Sequence, residues 1–215
     1  MRKWRIICVL MIILALVGCR EGTGTQTGNK TEELALSIRG EYLAAREWSG
    51  IFHLTADYGQ RVYEFELAMA GREKETVVVV TAPEEVAGIS VTLSQGGSLL
   101  EVDGTLLETG DLGGEVTPLT AGEALMEAAR SGFMATCTLE EDGTLLRVDC
   151  RPPDSTPGTG QEIVLWFDVE THALVAGEIS QDGRRVLTCQ VSEFTIIENG
   201  EIPNGDATEE NLGGG

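Results

Sequence analysis

The chain has 215 residues, 42% hydrophobic and 5% aromatic, with a formal charge of −20 at pH 7. That length supports one sizeable core with tails. An acid excess of this size excludes nucleic acid, whose recognition needs a basic footprint, and flat docking of the protein body on anionic headgroups.

The chain opens with Arg2, Lys3 and Arg5, followed by an unbroken apolar run from Ile6 to Val17. This reads as an export signal, and it is too short to span a bilayer. The run ends in Leu16-Val17-Gly18-Cys19, which resembles the lipobox of bacterial lipoproteins. In that motif the Cys thiol receives a diacylglyceryl group and cleavage leaves the Cys first. The resemblance implies that residues 1–18 are a lipoprotein signal peptide and that Cys19 is the lipidated mature N-terminus. The protein is then anchored, palmitate-type chains included, on the outer, extracytoplasmic face of the cell membrane. Two buried acyl chains hold a protein where one barely does. Losing Arg2, Lys3 and Arg5, with no acid among the same residues, takes the mature chain from −20 to −23. Residues 19–30 have no large apolar side chain and three glycines, the composition of a flexible tether.

Thr31 offers an N-cap, and Leu34, Ile38, Tyr42 and Ala45 recur at helical spacing to about Glu47, predicting an amphipathic helix. The period then changes to alternation. Phe52, Leu54, Ala56 and Tyr58 share one strand face, with His53, Thr55 and Asp57 on the other. Tyr63, Phe65, Leu67 and Met69 repeat the pattern, and the strand Glu75 to Thr81, with four consecutive valines, reads as covered on both faces until Pro83 ends it. Further strands are predicted at 89–93, 98–102 and 105–108. Asp103-Gly104, Asp142-Gly143 and Asp182-Gly183 each signal a hairpin, because a type I′ turn needs positive φ at both central positions. Thr120 to Glu123 forms a capping box for a second helix that Gly132 stops. Strands resume at 133–139, 144–151, 162–168, 173–180 and 184–197. Residues 198–215, with five acids, no base and three terminal glycines, read as a disordered acidic tail.

Cys137, Cys150 and Cys189 remain after Cys8 and Cys19 are set aside, an odd number with no C-x-x-C and no zinc spacing. They read as small buried strand residues. His53 and His172 limit any nucleophile–base dyad, and both read as surface histidines. No catalytic motif appears, so the sequence predicts no enzyme, no catalytic residue, no metal site and no cofactor.

The pattern gives an α+β fold: a curled antiparallel sheet covered on its concave face by about two helices. The apolar face carries Phe52, Leu54, Tyr58, Tyr63, Phe65, Leu67 and Met69, joined by Phe167 from a later strand. These are the candidate hydrophobic ligand-facing residues. Whether the helices fill that concavity or leave a cleft is open at this point. A cleft would be apolar, suited to acyl chains or a hydrophobic peptide.

The order of elements adds a resemblance. The lipobox, tether and amphipathic helix precede Tyr63-x-Phe65-x-Leu67. A valine strand closing at Thr81-Ala82-Pro83, a mid-chain helix and Trp166-Phe167-Asp168-Val169-Glu170-Thr171-x-x-Leu174-Val175 follow. This is similar to the LolA/LolB superfamily of lipoprotein carriers, and within it to the lipid-anchored branch that includes a clostridial germination lipoprotein. The resemblance covers about residues 34–197 and implies a LolA-like half-open β-barrel with a helical lid, over a domain of residues 31–197. Two functions follow from it. In one, the membrane-anchored protein binds or handles a lipid or hydrophobic ligand at the cell envelope. In the other, it is a regulatory lipoprotein with a filled core that binds an envelope or spore-germination protein.

Overall fold

The computed structural model of the protein describes residues 24–72, 74–110, 112 and 116–198. The expected signal peptide, Cys19 and the tail beyond Glu198 lie outside these residues. Among the described residues two helices, α1 (Gly24–Ala44) and α2 (Ala121–Ser131), accompany eleven strands. These are β1 (Ala45–Asp57), β2 (Val62–Arg72), β3 (Glu75–Ala82), β4 (Ser90–Ser94), β5 (Gly97–Val102), β6 (Thr105–Gly110), β7 (Met134–Glu140), β8 (Leu145–Cys150), β9 (Gln161–Asp168), β10 (Leu174–Gln181) and β11 (Arg184–Glu198).

The strands form one antiparallel sheet in the order β6-β5-β4-β3-β2-β1-β11-β10-β9-β8-β7. The chain enters at the centre on β1, meanders outward to the edge at β6, crosses by α2 to the opposite edge at β7, and meanders back to close against β1. β6 and β7 do not pair, so the curled sheet stays open, an α+β half-barrel as the sequence predicts. The tight turns follow from their residues. Asp103-Gly104 and Asp182-Gly183 are two-residue turns with positive φ at both positions, the backbone that aspartate and glycine accept most easily, whereas Asp142-Gly143, also at positive φ, belongs to a longer loop with a 3-10 turn between Glu140 and Leu145.

One face of the sheet is covered. In β1, Trp48, Gly50, Phe52, Leu54 and Ala56 are buried in alternation, with Ala45 buried at its start, and the register carries this face through Leu67 and Met69 of β2 to Val78 and Val80 of β3. Leu125 and Met126 of α2, with Ile38 and Tyr42 of α1, pack onto it. The Tyr42 ring meets Phe167 edge-on and stacks on Phe194, with centroids 5.3 and 5.9 Å away. β3 differs from expectation. Its valines alternate, with Val78 and Val80 buried and Val77 42% exposed, because both helices lie on one face.

α1 also differs at both ends. It starts at Gly24 rather than Thr31, so the second half of the segment read as a tether has helical backbone. It stops at Ala44 rather than near Glu47. Arg130 of α2 explains the stop: its Nε donates to Tyr42 O at 3.0 Å and its Nη2 to Ala45 O at 3.2 Å. Carbonyls at a helix end need such donors. Gly132 ends α2 as predicted, by a different device. Its φ is −57°, and glycine is required because a Cβ there would lie 2.6 Å from Ala128 O.

Candidate functional site

The structure divides the predicted ligand-facing residues into two groups. Phe52, Leu54, Leu67, Met69 and Phe167 are at most 3% exposed and sit in the core beneath the helices. Tyr58 and Tyr63 are 58% and 41% exposed, and Phe65 is half-buried. These three form an aromatic run at the far end of the β1–β2 hairpin, with ring centroids 5.9 and 6.4 Å apart.

Three glycines measure how tightly the covered face is packed. A Cβ at Gly71 would lie 2.0 Å from Trp48 Nε1, at Gly122 2.2 Å from Met69 Sδ, and at Gly177 2.6 Å from Leu125 Cδ2. Strand and helix side chains therefore occupy the space that even a methyl group would need. The curvature is filled by the protein's own residues at these points.

The larger free volume lies on the other, open face. Its outward residues are set in two cross-strand rows by the register. One row runs Glu66, His53, Gln190, Ala176, Trp166 and Arg147. The next runs Glu64, Thr55, Thr188, Glu178 and Val164. Thr55, Thr188 and Ala176 are small, so the middle of the face is low. Ala82-Pro83 stands at one side, and Glu141 and Leu145 at the other. The result is a groove of about 760 Å³ crossing seven strands from β3 to β8. A second hollow of about 290 Å³ on the same face is lined by Ile51, Ala68, Val77 and Val79 among others.

The groove mixes apolar surface, at Phe65, Pro83, Leu145 and Trp166, with glutamates. His53 Nδ1 lies 3.4 Å from Glu66 Oε2, and Thr81 Oγ1 donates to Glu66 Oε1 at 2.8 Å. Arg185 pairs with Glu178 at 2.9 Å. Trp166 Nε1 donates to Glu140 at 2.8 Å while the Arg147 guanidinium lies 5.3 Å from the indole centroid. The side-chain bond to Asp149 raises the Arg147 pKa further, so that cation is held in place. No Lys or Arg is among the lining residues.

The residues searched for chemistry are otherwise engaged. His172 Nδ1 donates to Glu41 at 2.7 Å, tying the β9–β10 turn to α1, and Tyr42 Oη donates to His172 O at 3.0 Å. Burial pushes the Tyr42 hydroxyl well above its ordinary pKa. Cys137, Cys150 and Cys189 are free thiols, and burial raises all three, Cys150 to about 11 and Cys189 to about 12. Among the described residues no group of three His, Cys, Asp or Glu could hold a metal ion, and no helix is long and apolar enough to cross a membrane.

Sequence reading places His53, Thr55 and Asp57 on a wet face and takes the point no further. It misses the groove because the rows depend on the pairing of β1 with β11 across most of the chain. The available signal is the run of outward polar residues in β1, β2 and β10 considered together.

No protein-family model matches the sequence, and no curated protein matches it. Among solved structures, the chain is similar to an uncharacterized conserved protein from Thermus thermophilus, at 10% identity and a TM-score of 0.46, over 79% of this chain and 90% of that one. It is similar to a putative outer membrane lipoprotein-sorting protein domain from Vibrio parahaemolyticus, at 12% identity and TM-score 0.43, over 81% and 95%. It is also similar to a LolA superfamily protein from Nitrosomonas europaea, at 8% identity and TM-score 0.40, over 79% and 94%.

Proposed function

We propose that the protein is an envelope lipoprotein, held to the outer face of the cell membrane through a diacylglyceryl group on Cys19, that works as a protein-docking module. One observation carries the choice between the two functions read from the sequence: the curved face is packed by Trp48, Met69 and Leu125 at the three glycines, while the groove opens on the opposite face. A carrier needs its apolar concavity vacant, and a docking module needs a stable body with a surface to spare. His172 is held by Glu41 and His53 lies 3.4 Å from Glu66, and we assign neither a catalytic step.

A second reading, the handling of a hydrophobic ligand, is favoured by the exposed run Tyr58, Tyr63 and Phe65 beyond the helices. One experiment separates the two. Protein purified from native membranes is analysed by native mass spectrometry, and delipidated protein is titrated with a hydrophobic fluorophore. Docking predicts acylated Cys19, a stoichiometric protein partner, no extractable lipid and no saturable uptake. Saturable uptake competed by acyl chains overturns it in favour of the second reading, and an unmodified Cys19 removes the anchor.

A further inference from the structure

We infer that the groove across the open face takes a basic, extended segment of a partner protein, an assignment that rests on the docking reading above. The His and acidic residues lining it are His53, Glu64, Glu66, Glu141 and Glu178. Arg185 answers Glu178, and His53 lies beside Glu66. Glu64 and Glu141 are exposed and have no ion-pair partner among the described residues. The nearest cation in the same rows, Arg147, is engaged by Asp149, Glu140 and Trp166. The groove therefore presents negative charge that the fold leaves open.

Size sets the length of the occupant. Seven strands at about 4.8 Å spacing span roughly 29 Å, which an extended chain rising about 3.3 Å per residue crosses in about nine residues. Trp166 and Pro83 give it apolar edges to lie against, and the neighbouring hollow at Ile51, Val77 and Val79 receives apolar side chains.

Charge removes the other occupants. The chain's own residues 198–215 carry five acids and no base, a second mature copy brings another −23 once Arg2, Lys3 and Arg5 are lost from the −20 of the full chain, and a phosphate or anionic headgroup meets like charge. A partner segment that alternates Lys or Arg with apolar residues is complementary in both respects.

The test uses the full chain and a labelled peptide of about nine residues alternating Lys and Val, with a Glu-and-Val peptide and spermine as comparators. The groove variant is Glu64→Lys with Glu141→Lys. The control carries the same charge change on the outer strands of the sheet, Glu101→Lys with Glu108→Lys. We expect saturable binding of the Lys peptide, weakened roughly tenfold or more in the groove variant and held by the control, with no binding of the Glu peptide. Equal weakening in both variants, displacement by spermine at matched concentration, or no saturable binding each overturns the assignment. Cross-linking in native membranes separates this failure from that of the docking reading. A partner captured equally by wild type and groove variant leaves docking standing and removes the groove, whereas co-purified lipid with no partner removes both.

Discussion

Replacing Gly71 with alanine tests whether the covered face is a filled core. Gly71 lies in β2 opposite Trp48, and its φ is not in the left-handed region, so alanine is acceptable to the backbone and on conformational grounds would stabilise by about 0.4–1 kcal/mol. The packing opposes this. The new Cβ would stand 2.0 Å from Trp48 Nε1 and 2.4 Å from Cε2. Comfortable contact is about 3.5 Å, so the indole must retreat by roughly 1.5 Å. Its retreat is restricted: Trp48 is 4% exposed, stands edge-on to Phe52 at 5.9 Å, and lies so near Gly122 that a Cβ there would be 3.3 Å from its Cη2, which leaves only the hollow of about 160 Å³ that Trp48 and Gly71 line with Met126 and Arg130. Overpacking of a rigid side chain costs about 1–3 kcal/mol, so with the conformational gain set against it the net loss should be about 1–2.5 kcal/mol. For a domain of this size that lowers Tm by roughly 2–10 °C. Urea unfolding followed by tryptophan fluorescence gives the same quantity as a drop in midpoint at constant slope. A Gly71→Ala protein within about 0.5 kcal/mol of wild type refutes the filled core, because the indole would then have vacant space to swing into.

Arg130→Gln removes the guanidinium that closes the C-terminal end of α1 on Tyr42 O and Ala45 O. The expected loss is about 2 kcal/mol, with faster amide exchange confined to the last turn of α1; unchanged exchange there refutes the capping role. Cys150 and Cys189 should resist iodoacetamide at pH 8 until the protein is unfolded, with half-buried Cys137 reacting first, and rapid labelling of Cys189 in the native protein refutes its burial. The same raised thiols leave stability intact below the ordinary value of 9.0 and remove it as pH climbs toward 11 and 12, since the unfolded chain ionises first. Asp168 behaves oppositely. Its carboxylate accepts from Thr171 N, Thr171 Oγ1 and Glu170 N, which holds its pKa below 3.8. Its contribution to the β9–β10 turn is present above 3.8 and is lost as pH falls through the depressed value, so the Thr171 amide resonance should titrate below 3.8 and not above it.

The elements most legible in the sequence are those fixed by local chemistry. Alternation in Phe52 to Ala56 and Tyr63 to Met69 places the β1–β2 hairpin, and the three Asp-Gly pairs place their turns, because the positive φ they need is a property of the residues themselves. The valines of β3 mislead for a physical reason. Four in a row suit any strand, and only the position of the helices decides which pair faces water. The end of α1 is illegible because its cap, Arg130, comes from the other helix. The groove is illegible for the same kind of reason. Outward polarity can be read from Glu64, Thr55 and Glu178 singly, but their alignment in one row follows from pairing β1 with β11, and no local pattern records that pairing.

The strength of docking in the groove can be bounded from its parts. Glu66 and Glu178 already face His53 and Arg185, so the two open glutamates, Glu64 and Glu141, decide the charge contribution; at about 0.2–1 kcal/mol for each surface ion pair, a basic segment gains roughly 0.4–2 kcal/mol. About 4 kcal/mol corresponds to millimolar affinity. Val77 and Ile51 are already partly covered, so their further burial adds only a fraction of the roughly 1.5–3 kcal/mol that complete burial of such a side chain is worth. Docking in free solution should then be weak, and the Cys19 anchor has a thermodynamic role in the proposal. Confining both partners to one membrane surface raises their effective concentration, which strengthens association without any new contact. The balance also fixes how salt acts. The screening length falls from about 30 Å at 0.01 M to about 3 Å at 1 M, so affinity for the Lys and Val peptide should drop steeply over that range and level off where only the apolar contacts remain. Isothermal titration at several ionic strengths reads this directly. Binding that strengthens with salt would mean that apolar burial dominates, and the acidic rows of the open face would then have no part in choosing the partner.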